Sequence, residues 1–337
     1  MKLGGIVCSA METFVHHQIH DLLMGAHHPV FICDERIDGD SLGSSLAMAH
    51  FLKGRGVTVP VFVSAPIPEP YRFLPGIEQT TTSREIFQDP NIDLVVVFDC
   101  SDAEFVRGLL ELTPHHPTIV NIDHHATNAR YGDVNQVLVD SPATAEVVHR
   151  FFVENHIMPS REMATCLLTG ICFDTTVFSN SATGERALGA ASELMTAGGR
   201  IQDVIRHIYQ SRSVSALRIW GEALSRLSTH GPSGAVFTFI TASDLEKGDL
   251  EPDEVDGLSN FLQLVVDAHT LFVIRETPTG EWKVSMRSSE HDVASVAKAF
   301  GGGGHKKAAG FVHPKGSLMC DESGCQALVQ KAMAVIE

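Results

Sequence analysis

An α/β fold in two domains is predicted by three observations. The first half of the chain alternates short β-branched runs with longer helical patterns, which is how a parallel sheet with crossover helices reads in sequence. A helical stretch without strand signals then intervenes, and a shorter group of strands and helices follows it. The length of 337 residues also exceeds a single typical core, since cores stop growing near ~250–300 residues.

Taken in order, buried strands are expected at 29–33, 57–63, 94–98 and 118–122, and helices at 41–54, 143–155, 160–172 and 184–197. Gly198-Gly199 supplies the stop signal of the last helix. The first domain therefore covers 1–197 and a helical linker 198–230, with amphipathic helix over most of 201–227. The second domain, 231–337, has strands at 235–240, 270–276 and 282–287 and helices at 256–267 and 292–300, after which the glycine run 301–304 interrupts the pattern. No repeat of fixed period is present, which sets solenoids and propellers aside.

With 44% hydrophobic and 20% charged residues the chain can bury a core large enough to offset its ordering entropy. The opening ten residues hold one lysine and no sustained apolar stretch, and the later apolar runs fall far short of the ~20 residues of a membrane span. Seven scattered cysteines without a C-x-x-C pair suit a reduced cytoplasm. A formal net charge of −16 excludes coating of long nucleic acid through a basic face. An anionic substrate would have to be met locally, and divalent cations would do that.

Three strands of the first half end in acids. Cys33 runs into Asp34 and then Asp38-Gly39-Asp40, Phe98 into Asp99, and Ile122 into Asp123-His124-His125. Ligands of open parallel sheets sit beyond the carboxyl ends of strands, where loops from distant positions converge. A fourth acid, Asp174, ends a helical segment. Each aspartate alone reads as a turn or helix cap, and the pairs His16-His17, His27-His28 and His115-His116 read as surface. The joint pattern reads differently, because converging carboxylates repel unless a cation neutralises them. Oxygen ligands with one imidazole suit Mn²⁺ or Mg²⁺ rather than structural zinc.

Asp123-His124-His125 after an apolar strand, Asp38-x-Asp40 with Gly43-Ser44, and Asp99-x-Ser101-Asp102 together resemble the DHH phosphoesterase family. The resemblance continues through Asn128, Asn135, Ala145-Glu146 and Gly170-Ile171-x-x-Asp174-Thr175-x-x-Phe178. It returns in Arg287-Ser288 and in the run from Phe300 to Phe311, which looks like the DHH-associated domain. It implies a parallel-sheet catalytic domain, a smaller mixed-sheet α/β domain and an active site in the cleft between them. Two divalent ions, manganese in most relatives, would be held by Asp38, Asp40, Asp99, His124 and Asp174, with Asp99 bridging. His125 would stabilise charge on the phosphate or protonate the leaving oxygen, and Asp123 would orient a histidine.

Relatives with this layout have histidine where this chain has Asp34, and a carboxylate there can still bind a hard cation, so Asp34 is kept as a ligand. Thr176 replaces a common glycine after the Asp-Thr pair. In the second domain, Arg287, Ser288, Gly303, Gly304 and His305 would grip the substrate, the glycines presenting backbone amides without side-chain obstruction. The reaction implied is hydrolysis of short oligonucleotides and linear dinucleotides to nucleoside 5′-monophosphates by activated water, with removal of the 3′-phosphate of adenosine 3′,5′-bisphosphate as a companion activity.

The rivals are a cyclic-dinucleotide phosphodiesterase, an inorganic pyrophosphatase, a long-strand exonuclease and a catalytically silent nucleotide sensor. A Rossmann dehydrogenase is excluded because no G-x-G-x-x-G follows the first strand. A homodimer is compatible with the layout, and no feature of the sequence fixes the oligomeric state.

Overall fold

The computed structural model describes residues 3–180, 182–209, 212–316 and 321–336, without the side chains of 3–11, 209, 253 and 305. The chain divides into two compact units, residues 1–211 and 212–337. The first contains helices α1 (Leu3–Gly25), α2 (Gly39–Lys53), α3 (Ala103–Leu110), α4 (Thr144–Glu154), α5 (Arg161–Asp174), α6 (Glu185–Thr196) and α7 (Ile201–Tyr209). Its strands are β1 (Pro29–Cys33), β2 (Val61–Phe62), β3 (Thr80–Thr81), β4 (Leu94–Phe98), β5 (Thr118–Asp123) and β6 (Val134–Val137).

All six strands are parallel, in the order β3-β2-β1-β4-β5-β6. The chain builds outward from β1 to β3, returns to β4 beside β1, and then builds the other way. That reversal makes the β1/β4 seam a topological switch point, where a crevice opens at the carboxyl ends of the strands. Side chains alternate across the pleat. Phe31, Cys33, Val96 and Phe98 enter the large core shared with α2, α4 and α5. Val30, Ile32, Val95 and Val97 enter a smaller core with Val106 and Leu109 of α3. Burial on both faces is why these strands read as unbroken apolar runs.

Helices α2 and α5 approach each other closely enough to require glycine. A Cβ on Gly43 would lie 2.3 Å from the Cys166 carbonyl oxygen, and one on Gly170 would lie 2.5 Å from Asp40 Oδ1. Gly170 thus lets α5 pass directly beneath the Asp40 carboxylate.

The second unit carries α8 (Val214–Ser225), α9 (Ala242–Gly248), α10 (Leu258–Val265), α11 (Val293–Ala299) and α12 (Glu322–Met333). Its strands are β7 (Ser228–Thr229), β8 (Val236–Ile240), β9 (Thr270–Glu276), β10 (Trp282–Ser288), β11 (Gly303–His305) and β12 (Ala308–His313). They form a mixed sheet, β11-β12-β10-β9-β8-β7, in which only β8 and β9 pair in parallel among the described residues. The β8-to-β9 crossover contains α9 and α10, as a parallel connection requires. One sheet face packs Phe237, Phe272, Val284 and Met286 against α11 and α12; the other packs Leu271 and Val273 against α8 and α10.

Several expectations are corrected. The run at 57–63 contributes a strand of two residues, Val61–Phe62, because β2 pairs with its neighbours only there. The polar Val134–Val137 is a strand because β5 supplies a paired edge. The stretch at 201–227 holds two helices, α7 and α8, and the division between units falls between them. His16 is buried, 1% exposed, not on the surface, and burial pushes its imidazole down to about 4. The glycine run 301–304 enters the edge strand β11, paired to β12.

The glycine contacts make a stability prediction. Gly43→Ala should destabilise the first unit by about 1–3 kcal/mol through overpacking, read as a lower urea midpoint. Gly189→Ala, on α6 where a Cβ meets nothing within 4 Å, should be neutral or stabilising by up to about 1 kcal/mol. Equal effects of the two would remove the close approach as the reason for Gly43.

Candidate active site

Five acids and two histidines meet at the switch point because each lies at or beside the end of an element that points there. Asp38 caps α2, its Oδ1 accepting the Asp40 and Ser41 amides at 2.9 Å each. Asp40, two residues on in the first turn of α2, is fully buried. Its Oδ2 accepts the Thr144 amide at 2.6 Å and its Oδ1 the Ala145 amide at 2.8 Å. These are the open first-turn amides of α4, whose own N-cap position is Ala143, with no side chain to cap it. Asp40 therefore caps a helix a hundred residues away, and the helix N-terminus in turn favours a carboxylate there.

Asp99 follows β4 with φ of 62°, a left-handed conformation that aspartate tolerates better than most residues. Its Oδ1 accepts the Thr144 hydroxyl at 2.8 Å, so Thr144 holds two candidate ligands at once. Asp123, at the end of β5, is fully buried and accepts the His124 amide at 2.6 Å and His125 Nδ1 at 2.6 Å. Its Oδ2 accepts Asn128 Nδ2 at 2.5 Å. Asn128 also reaches Asn121, which with Tyr131 binds the Cys100 carbonyl.

His124 Nδ1 is 3.2 Å from the Ser141 carbonyl oxygen, which leaves Nε2 facing the acids. That nitrogen is buried and has no hydrogen-bond partner among the described residues, although it lies 3.1 Å from Asp174 Oδ2 and 3.6 Å from Asp99 Oδ1. Two sets of donor atoms lie mutually within 4.8 Å: Asp40 with His124 and Asp174, and Asp99 with His124 and His125. Asp34 and Asp38 are in neither set. Asp34 is half-buried and its Oδ2 accepts the Arg36 amide at 3.2 Å. An orphaned imidazole nitrogen among carboxylates fits a cation far better than an empty polar pocket.

The electrostatics state the same need. Burial first, then the charge of Asp174, pushes Asp38 up to about 7 and Asp40 to about 8, and burial with Asp40, Asp38 and Asp174 raises Asp99 well above the carboxylate range. Burial opposes charge on His124, yet the Asp174 carboxylate, with Asp40 and Asp123 behind it, raises that imidazole to about 10. Asp123 behaves oppositely: burial would raise it, but His125 and Asn128 hold it below its ordinary value.

After Asp174 the backbone makes a left-handed turn, with φ of 48°, 53° and 61° at Thr176, Val177 and Phe178. Position 176 thus has the conformation glycine adopts without strain, and Thr176 occupies it at a cost. Asn180 Nδ2 ties the turn down through the Asp174 carbonyl at 2.7 Å.

In the second unit, Arg287 Nε and Nη2 donate to Asn260 Oδ1 at 3.0 and 2.8 Å, and burial lowers its pKa. The Ser288 hydroxyl is committed to structure: it donates to the His269 carbonyl and accepts the His291 amide, at 2.6 and 2.8 Å. Gly303 and Gly304 pair with Gly310 and Ala309, and a Cβ on Gly304 would come within 2.6 Å of Ala309 Cα. The glycine at 304 answers to strand packing; Gly303 faces open space. The His305 side chain lies outside the described residues.

Sequence reasoning missed Thr144, Ser141 and Tyr131. The absent capping side chain at Ala143 was the available sign that something distant caps α4.

The raised groups fix a pH dependence. Asp38, Asp40, Asp99 and His124 all bind protons more tightly in the folded state than their ordinary values allow. Stability from these groups is therefore fully present below their unfolded pKa values and is lost as pH rises through the folded ones. Metal-stripped protein should melt at a lower temperature at pH 8 than at pH 6, and added Mn²⁺ should raise Tm more at pH 8. A metal-free Tm that rises over that interval would contradict the assigned carboxylate repulsion.

Residues 29–171 match the DHH family N-terminal domain and residues 233–337 the DHHA1 domain. The chain is 31% identical over 294 residues to the bifunctional oligoribonuclease and PAP phosphatase NrnA of Thermus thermophilus, covering 87% of this chain and 86% of that one. It is 24% identical over 281 residues to the protein of the same name from Bacillus subtilis, covering 82% and 86%. Among solved structures, an exopolyphosphatase-related protein of Bacteroides fragilis superposes with a TM-score of 0.85 at 22% identity, over 95% of this chain and 96% of that one, a likeness of fold. With the Asp-His-His strand end at the switch point and both domain signatures in order, the chain belongs to the DHH family.

Proposed function

We propose that the protein is a metal-dependent phosphoesterase that hydrolyses short oligoribonucleotides to nucleoside 5′-monophosphates and removes the 3′-phosphate of adenosine 3′,5′-bisphosphate. The observation that carries this reading is His124 Nε2, buried without a hydrogen bond among the described residues and turned toward Asp174 Oδ2 at 3.1 Å and Asp99 Oδ1 at 3.6 Å. The names of the relatives support the substrate class. Metal chemistry is assigned to residues 1–197 and substrate grip to residues 231–337, with 198–230 as the linker.

Asp38, Asp40, Asp99, His124 and Asp174 would hold two divalent cations, manganese being the expected metal, with Asp34 as a further oxygen ligand. Bound cations supply Lewis acidity that activates water near neutral pH and neutralise charge on the phosphoryl group. Thr144 fixes the orientation of Asp40 and Asp99. Asp123 holds His125 by Nδ1, which aims the imidazole to stabilise charge on the leaving oxygen or to protonate it. Arg287 meets a terminal phosphate, held ready by Asn260. With a net charge of −16, a protein of this kind favours short substrates gripped locally over long strands. No helix among the described residues is long and apolar enough to cross a membrane.

The deciding experiment is hydrolysis, with Mn²⁺, of a panel holding a 5′-phosphorylated dinucleotide, a longer oligonucleotide, adenosine 3′,5′-bisphosphate, a cyclic dinucleotide and pyrophosphate. Turnover of the dinucleotide and the bisphosphate is expected; activity on pyrophosphate alone would overturn the assigned substrates. His125→Ala should lower kcat by about 10²–10⁴-fold with Mn²⁺ retained, and collapse of metal binding would move His125 into the ligand shell. Arg287→Ala should raise KM at little cost to kcat, and an unchanged KM would remove it from the grip.

A further inference from the structure

The ring of His124 is set from behind by residues that take no part in the proposed chemistry. Its Nδ1 is 3.2 Å from the Ser141 carbonyl oxygen, which can only accept, so Nδ1 donates there and Nε2 is the nitrogen turned to the acids. Ser141 is 5% exposed and is itself held by its amide and its hydroxyl, the latter also 2.9 Å from the Ala143 carbonyl oxygen. Its amide donates to the Leu138 carbonyl at 2.9 Å, and its hydroxyl donates to the carboxylate of Glu146 on α4. Glu146 is 3% exposed, and its Oε1 accepts Arg150 Nε at 3.1 Å. Arg150 Nη1 donates in turn to Oε2 of Glu12 on α1, at 2.9 Å. A continuous line of buried and half-buried polar contacts thus runs from the metal-facing imidazole through α4 to the first helix.

A buried Glu-Arg pair one helical turn apart is ordinary by itself. The hydroxyl contact makes this one different, because a buried carboxylate stationed on Ser141 restricts the very residue whose carbonyl holds His124. We propose that Ser141 and Glu146 are positioning residues for His124, anchored through Arg150 to Glu12, so that α1 helps to set divalent-cation affinity. The proposal rests on the reading of His124 as a metal ligand. Partners of ligating imidazoles typically contribute about 10–100-fold in metal affinity.

The test is calorimetric titration of Mn²⁺ into metal-stripped full-length protein. Ser141→Ala and Glu146→Ala should each weaken Mn²⁺ binding about 10-fold or more. Glu146→Gln keeps an acceptor for the hydroxyl and should recover most of the loss. In assays with the dinucleotide, Ser141→Ala should leave KM unchanged and regain its kcat at saturating Mn²⁺, with the metal-free Tm within a few degrees of the parent. Mn²⁺ affinity of Ser141→Ala equal to the parent's would overturn the positioning role, as would a loss of affinity matched by a fall in metal-free Tm. A parent protein that binds no Mn²⁺ overturns the metal reading itself, an outcome distinguishable from failure of the variants alone.

Discussion

Mutual repulsion among carboxylates drawn to the β1/β4 seam is the constraint to which the rest of the first unit answers. The parallel sheet is responsible for the crowding, since it delivers Asp34, Asp38 and Asp40 from one strand end, Asp99 from the next and Asp123 from a third. Each is then met by a different compensation. Asp40 receives the open amides of α4, Asp99 the Thr144 hydroxyl, and Asp123 a histidine and an asparagine. What these donors leave uncompensated is the part a cation would supply, and His124 Nε2, 3.1 Å from Asp174 Oδ2, stands among the remaining oxygens without a hydrogen bond among the described residues.

Much of this was legible in the sequence because the strands of the first unit are buried on both faces. Their apolar runs stand out, so the acids that end them stand out as well. What the sequence did not show lies in tertiary space. Thr144 looks like any residue opening a helix until Asp40 and Asp99 are brought to it. His16 looks like half of a surface pair until α1 presses it into the core. The strand Val134–Val137 carries two amides in four residues and is a strand only because β5 pairs with it.

The second unit shows the converse limit. Its glycine run invites a reading as a ligand cradle, yet Gly302 and Gly304 leave no room for a Cβ against β12, so at those positions sheet packing alone accounts for glycine. Ser288, adjacent to the arginine assigned to substrate, holds the turn after β10 instead. Arg287 differs because the side chain it donates to among the described residues, Asn260, is neutral, which leaves its charge available to an anion.

The remote cap that Asp40 provides for α4 has a consequence for genetics. Neutralising an acidic residue is the usual way to make an inactive allele, with the shape of the protein assumed intact. At Asp40 that assumption fails, because the same carboxylate secures the first turn of a helix that also presents Thr144 and Glu146. A null phenotype there would report a loosened scaffold as much as a lost reaction, and substitution at His125, which caps no helix, separates the two more cleanly.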